Sequence, residues 1–181
     1  MKFDWRYAVL LLAIGVCLGI VAAFYVLLSG YVPITGAFLG PLLRPVCLNG
    51  SVQTLVSPSD ATENEFVAAL NAAERSIDVE MYLFSNPVLK DALIEAVKRG
   101  VTVRLILEPR VDQNLATAPF LKGKGVEVKW ASTSYANTHS KLAVMDGRRV
   151  IVGSTNWSSY AMDKNREATV LIENRELAER F

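Results

Sequence analysis

The chain has 181 residues, about half of them apolar, with nineteen basic and eighteen acidic side chains. That length accommodates one globular domain and one further element rather than several domains. The near-neutral balance excludes the broad basic face of a dedicated nucleic-acid binder, so any phosphate must be met by a local cluster of donors.

A short flank, residues 1–7, precedes an uncharged apolar run over residues 8–29. As a helix that run would span roughly 33 Å, enough to cross a bilayer, and it predicts a transmembrane anchor. The alternative is a cleaved signal peptide, whose apolar core is usually about 7 to 15 residues long and ends at a small-residue cleavage site, a poorer fit here. Lys2 and Arg6 precede the run, and Arg44 is the one basic residue between its end and Gly50. That asymmetry favours an inside N-terminus and an extracytoplasmic domain. An organelle anchor holding the domain in the cytosol is the other arrangement. Cys17 lies inside the apolar run and Cys47 beyond it, so their depths differ, and the pair suggests neither an intrachain disulfide nor a zinc site.

Residues 30–55 are rich in Gly and Pro without a sustained period, which reads as a linker close to a membrane surface, with a domain over residues 56–181. Asn49, Gly50 and Ser51 form a glycosylation sequon of a kind that arises often by chance. Thr62 and Glu65 have the spacing of a capping box, and Phe66, Val67, Leu70 and Ala73 share the face of a first helix running to about Arg75. Ile77, Val79, Met81 and Leu83 then alternate with more polar residues as a strand. Asn86 and Pro87 open a second helix, whose stripe of Leu89, Ala92, Leu93 and Ala96 ends at Gly100. VTVRLILE is a strand, a weaker helix is expected around residues 116–121, and VEVKW is a further strand.

This alternation predicts an α/β fold with a mixed, largely parallel sheet flanked by helices. THSKLAVMD and RRVIVGS form a hairpin turned at Asp146 and Gly147. EATVLIE is the last strand, and a helix starts near Asn174.

The chemistry concentrates in that hairpin. His139 is the only histidine in the chain. Alternate residues of a strand share a face, which puts His139 beside Lys141, while Gly153, Ser154, Thr155 and Asn156 end the neighbouring strand. A lone histidine is more often structural than catalytic. Together, however, His139, Lys141, Asp146, Gly153, Ser154 and Asn156 spell H-x-K-x4-D-x6-G-S-x-N.

This pattern resembles the motif of the phospholipase D superfamily, whose members include phospholipases, phosphatidyl transferases and small nucleases that usually work without metal or cofactor. The resemblance implies one lobe of that fold over most of residues 56–181. It implies that His139 is the nucleophile, that Lys141, Ser154 and Asn156 are phosphate ligands, and that Glu167 is the carboxylate that orients the histidine. Asp146 and Gly153 match motif positions with structural roles. The family pairs two copies of the motif across a twofold axis, and this chain has one, so the resemblance implies a homodimer sharing its site; a chain continuing into a second lobe is the alternative.

Short single-motif members with an apolar N-terminal segment resemble the small nucleases and the mitochondrial cardiolipin hydrolase type. A nuclease is favoured, with Arg104, Arg110 and Lys129 along the strand ends and Trp130, Tyr135 and Trp157 available to stack bases. Core packing is the competing role for those aromatics. Phospholipid hydrolysis or transfer is the alternative, with the linker pressing on the bilayer. A catalytically inactive phosphate-binding scaffold is a third reading, against which the intact motif argues.

Overall fold

The computed structural model describes residues 50–181. The anchor expected over residues 8–29, most of the expected linker and both cysteines lie outside the described residues. Among the described residues, no helix is long and apolar enough to cross a membrane.

Among the described residues, seven strands form a single sheet in the order β1-β7-β6-β5-β2-β3-β4. They are β1 (Val52–Ser57), β2 (Ser76–Met81), β3 (Thr102–Leu107), β4 (Glu127–Trp130), β5 (Lys141–Met145), β6 (Arg149–Gly153) and β7 (Glu167–Glu173). The helices are α1 (Asp60–Asn71), α2 (Pro87–Lys98), α3 (Asp112–Lys122), α4 (Ser159–Asp163) and α5 (Arg175–Ala178). The sheet is mixed, but it is not largely parallel as expected. Only the β2–β3 and β3–β4 pairs are parallel; β2–β5, β5–β6, β6–β7 and β1–β7 are antiparallel. The reason lies in the connections. Helical crossovers return the chain in the same direction twice, whereas a tight hairpin joins β5 to β6 and a short passage through α4 reverses it into β7.

The linker also ends earlier than its composition suggests, because Val52–Ser57 pairs with β7 from Val52↔Ile172 to Ser57↔Glu167. The expected capping box is replaced as well. Ser59 is the N-cap and accepts the Ala61 N–H at 3.2 Å, while the Thr62 hydroxyl donates to the Val56 carbonyl at 2.7 Å. Asn86 does cap α2, accepting the Leu89 N–H at 3.0 Å, and Gly100 follows with φ 86°, a left-handed conformation open to glycine. α3 is longer than expected, since Pro119 sits inside it without ending it.

One face of the sheet is buried against α1 and α2. Phe66 and Leu70 of α1 and Leu89 and Leu93 of α2 cluster with Ile77, Val79 and Met81 of β2 and with Leu105 and Leu107 of β3. Ala143 and Met145 of β5 join the same core, so the alternation that faces them inward also brings Lys141 to the helix-covered side. On the opposite face Ala178 of α5 packs with Val144 and Val150 in a smaller cluster.

Candidate active site

The ladder register gathers the motif, Asp146 excepted, on one edge of the sheet. Lys141 pairs with Met81 at the carboxyl end of β2, and Gly153, which ends β6, pairs with Thr169 two residues into β7. His139 precedes β5, and the backbone pairing continues to it, because the Tyr82 N–H donates to the Ser140 carbonyl at 2.9 Å. His139, Lys141, Ser154 and Glu167 thus share the edge formed by the carboxyl ends of the parallel strands, where α/β sheets commonly hold ligands. Gly153 is required there by space, since a Cβ would lie 2.4 Å from the Ala168 carbonyl oxygen.

His139 is exposed, and its ring packs on Tyr82 with centroids 4.4 Å apart. Lys141 is only 8% exposed. Its ammonium donates to the His139 carbonyl at 2.9 Å and lies 3.2 Å from His139 Nδ1 and 4.9 Å from the Tyr82 ring centroid. Burial pulls the Lys141 pKa below its ordinary value, against the opposing charge of Glu167.

Glu167 does not bond to His139. Its Oε2 accepts from the Ser154 hydroxyl and its Oε1 from the Asn165 amide at 2.9 Å. Ser154 Oγ in turn accepts the Ala168 N–H at 3.1 Å. Asn156 lies beside these groups in the chain, and its Oδ1 is buried without a hydrogen-bond partner.

Asp146 is remote from this chemistry. It occupies the hairpin turn at φ 55°, and its carboxylate accepts the N–H groups of Glu74, Arg75 and Ser76, stitching the turn to the start of β2. Those bonds hold its carboxyl below the usual range, although burial alone would raise it.

Of the six side chains expected to contact nucleic acid, three are otherwise employed. Trp157 is 1% exposed and packs edge-on against Phe84, with centroids 5.1 Å apart, so it belongs to the core. Arg104 pairs with Asp78. Arg110 is bound to Glu108 and to two loop carbonyls. Lys129, Trp130 and Tyr135 remain exposed. Tyr82, Asn165 and Glu108 enter the site or its support without any mark in the sequence, because only the register and the loop path bring them there.

The fold has relatives among known proteins. A family model described as cardiolipin synthase, PLD-like domain, matches residues 66–181. A phospholipase D of Rickettsia felis is 30% identical over 135 residues, covering 74% of this chain and 67% of the relative. A mitochondrial cardiolipin hydrolase of Danio rerio is 32% identical over 117 residues, 62% of this chain and 50% of the relative. The chain therefore spans between half and about two thirds of the length of these curated relatives. Among solved structures, Nuc from Salmonella typhimurium, described as a phospholipase D family member, superposes with a TM-score of 0.69 at 31% identity, over 74% of this chain and 90% of Nuc.

Proposed function

We propose that this chain, which belongs to the phospholipase D superfamily, is a phosphodiester hydrolase working through a covalent phosphohistidine on His139. One observation carries the reading: Lys141 is a nearly buried ammonium whose hydrogen-bond partners are the neutral carbonyl and ring nitrogen of His139. A buried cation with three donors and only neutral acceptors is poised for an anion. The exposed imidazole beside it supplies the nucleophile.

In the first step an imidazole nitrogen bonds to phosphorus and the P–O bond to the leaving group breaks. Lys141, Ser154 and Asn156 hold the phosphate oxygens as charge shifts among them. In the second, water bonds to phosphorus, the P–N bond breaks to return the imidazole, and the proton that water loses goes to the group that protonated the leaving oxygen in the first step. Attack from Nε2 requires the ring proton on Nδ1, the nitrogen that Lys141 faces. Lys141 turning to the incoming phosphate releases Nδ1, so that the tautomer protonated on Nδ1 and not on Nε2 can form and donate to Glu167, whose charge then stabilises the developing imidazolium.

The leaving oxygen needs a proton, which the attacking imidazole cannot supply in the same step. A second copy of the motif supplies it, in a homodimer sharing one site across a twofold axis.

The favoured substrate is a nucleic acid strand, supported by the open edge and by Trp130 and Tyr135, which are 43% and 69% exposed beside it. A phospholipid is the second reading, supported by the names of the relatives and by the apolar run over residues 8–29, read as a membrane tether. The test is turnover of single-stranded DNA, RNA and phospholipid vesicles by the full chain, with and without EDTA, with its mass in solution measured by light scattering. Metal-independent turnover by a dimer upholds the reading, and the preferred substrate selects the class. A monomer active at the same rate per chain refutes the shared site.

Glu167→Gln tests the carboxylate. It keeps the side chain's size but removes the charge and one acceptor, so we expect an unchanged circular dichroism spectrum and kcat lowered about 10²- to 10³-fold, the range typical of one electrostatic contribution. Wild-type kcat in a folded protein would remove Glu167 from the mechanism.

A further inference from the structure

We propose that Glu108 and Arg110 are positioning residues that set the place of His139. This inference rests on the proposed role of His139 and extends it to groups outside the motif.

Glu108 follows β3, and its side chain is fully buried. A carboxylate there is costly unless its oxygens are bonded. Oε2 accepts the N–H of Thr138, the residue before His139, at 2.7 Å. Oε1 accepts the Arg110 N–H at 3.1 Å and Arg110 Nη1 at 2.8 Å. Arg110 Nη2 then donates to the carbonyls of Thr133 and Tyr135, both at 3.1 Å. One ion pair thus grips the loop between β4 and β5 at three points, the last adjacent to the nucleophile.

The other side of His139 is supported from the same place. Its ring rests on Tyr82, whose carbonyl accepts Asn114 Nδ2 at 2.7 Å, and that same nitrogen donates to the Glu108 carbonyl at 2.9 Å. Loop and ring platform are therefore both fastened at Glu108. Although burial opposes ionisation, bonds from Thr138 and Arg110 outweigh it and hold the Glu108 carboxyl below its ordinary range.

Glu108→Gln is the informative change. Both carboxylate oxygens accept hydrogen bonds, whereas an amide offers one acceptor oxygen, so an N–H must oppose either Thr138 or Arg110. The loop shifts, and a displacement of about 1 Å at a nucleophile costs on the order of 100-fold in rate.

The chain's single histidine makes the readout specific: selective 13C labelling gives one imidazole Cε1–H cross-peak from the full chain. We expect Glu108→Gln and Arg110→Met each to shift or split that peak and to lower kcat about 10- to 100-fold, with KM within about twofold. Their double variant should lose much less than the product of the single losses. Should Glu108→Gln fail to fold, Arg110→Met, altered at a side chain 40% exposed, decides by the same readouts. A wild-type peak and wild-type kcat in folded variants would overturn the proposal, even with a lowered melting temperature. A shifted peak in variants of a chain with no turnover on any substrate would keep the clamp and remove the proposed function.

Discussion

His139→Ala is expected to abolish phosphodiester turnover, by at least about 10⁴-fold, while leaving the fold intact, because removing a nucleophile leaves only binding and electrostatic help. The exposed ring contributes little to the core; its removal forfeits the packing on Tyr82 and the approach of Lys141 Nζ to Nδ1. Stability should consequently change by less than about 1 kcal/mol, as for most surface substitutions. Trapping in a denaturing quench at alkaline pH, with a substrate labelled on the part that stays with phosphorus, offers the complementary measurement. Wild-type protein should retain label through an acid-labile phosphorus–nitrogen bond, and the variant should retain none. Residual turnover above about one per cent of wild type in the variant would defeat the phosphohistidine mechanism.

Asp146→Ala is expected to produce the largest loss of stability, about 3 kcal/mol, by leaving three backbone donors without an acceptor and placing alanine in a left-handed conformation. The donors belong to Glu74, Arg75 and Ser76, some seventy residues earlier in the chain, so the carboxylate closes the hairpin against the entry to β2. Asp146→Asn keeps an acceptor and tolerates the positive φ, and should lose about 1 kcal/mol. Urea midpoints of the three proteins test the order.

The pH dependence has a defined sign. The folded-state pKa of Asp146 lies below its unfolded value, so its contribution is fully present above the unfolded pKa, roughly 3.9, and is lost as pH falls through the folded pKa. Asp146→Asn should accordingly show a shallower decline in stability below about pH 4 than wild type. An equal decline would mean that other carboxylates dominate acid unfolding.

The elements with strong local signals are legible in the sequence. Asp146 and Gly147 mark the β5–β6 turn, Asn86 and Pro87 mark the start of α2, and the run from Glu167 to Glu173 matches β7 in both bounds. β1 is hidden because it is an edge strand. Val52 and Val56 are 48% and 61% exposed, so its alternation is weak, and only β7 identifies it as a strand. The balance of parallel and antiparallel pairing is illegible for a related reason, since alternation describes the crossovers and not where β1 and β7 add to the sheet.

At the site, the spacing of His139 and Lys141 carries over into a contact between their side chains, because two residues apart on extended chain means one face. The side chains that support them do not carry such a signal. Glu108, Asn114 and Tyr82 are single polar or aromatic residues whose partners lie far along the chain, and ordinary sequence reading assigns them to the surface or the core. Trp157 shows the converse. An aromatic next to a motif looks like a ligand contact, yet its carbonyl accepts the N–H groups of Ser85 and Asn86 and its ring fills the space beside Phe84.

The direction of β1 has a mechanical consequence. Val52 pairs with Ile172 at the margin remote from the site, and Ser57 pairs with Glu167 at the margin that carries it. Tension arriving through the chain upstream of Val52, with the rest of the domain held, is applied to the far end of this antiparallel ladder. Where that pull is directed across the strand, its rungs open in succession, as in a zipper, and the rung at Glu167 is the last to go. The strand can be peeled over most of its length, about 20 Å at roughly 3.4 Å per residue, before a pull on the leading end disturbs the carboxylate.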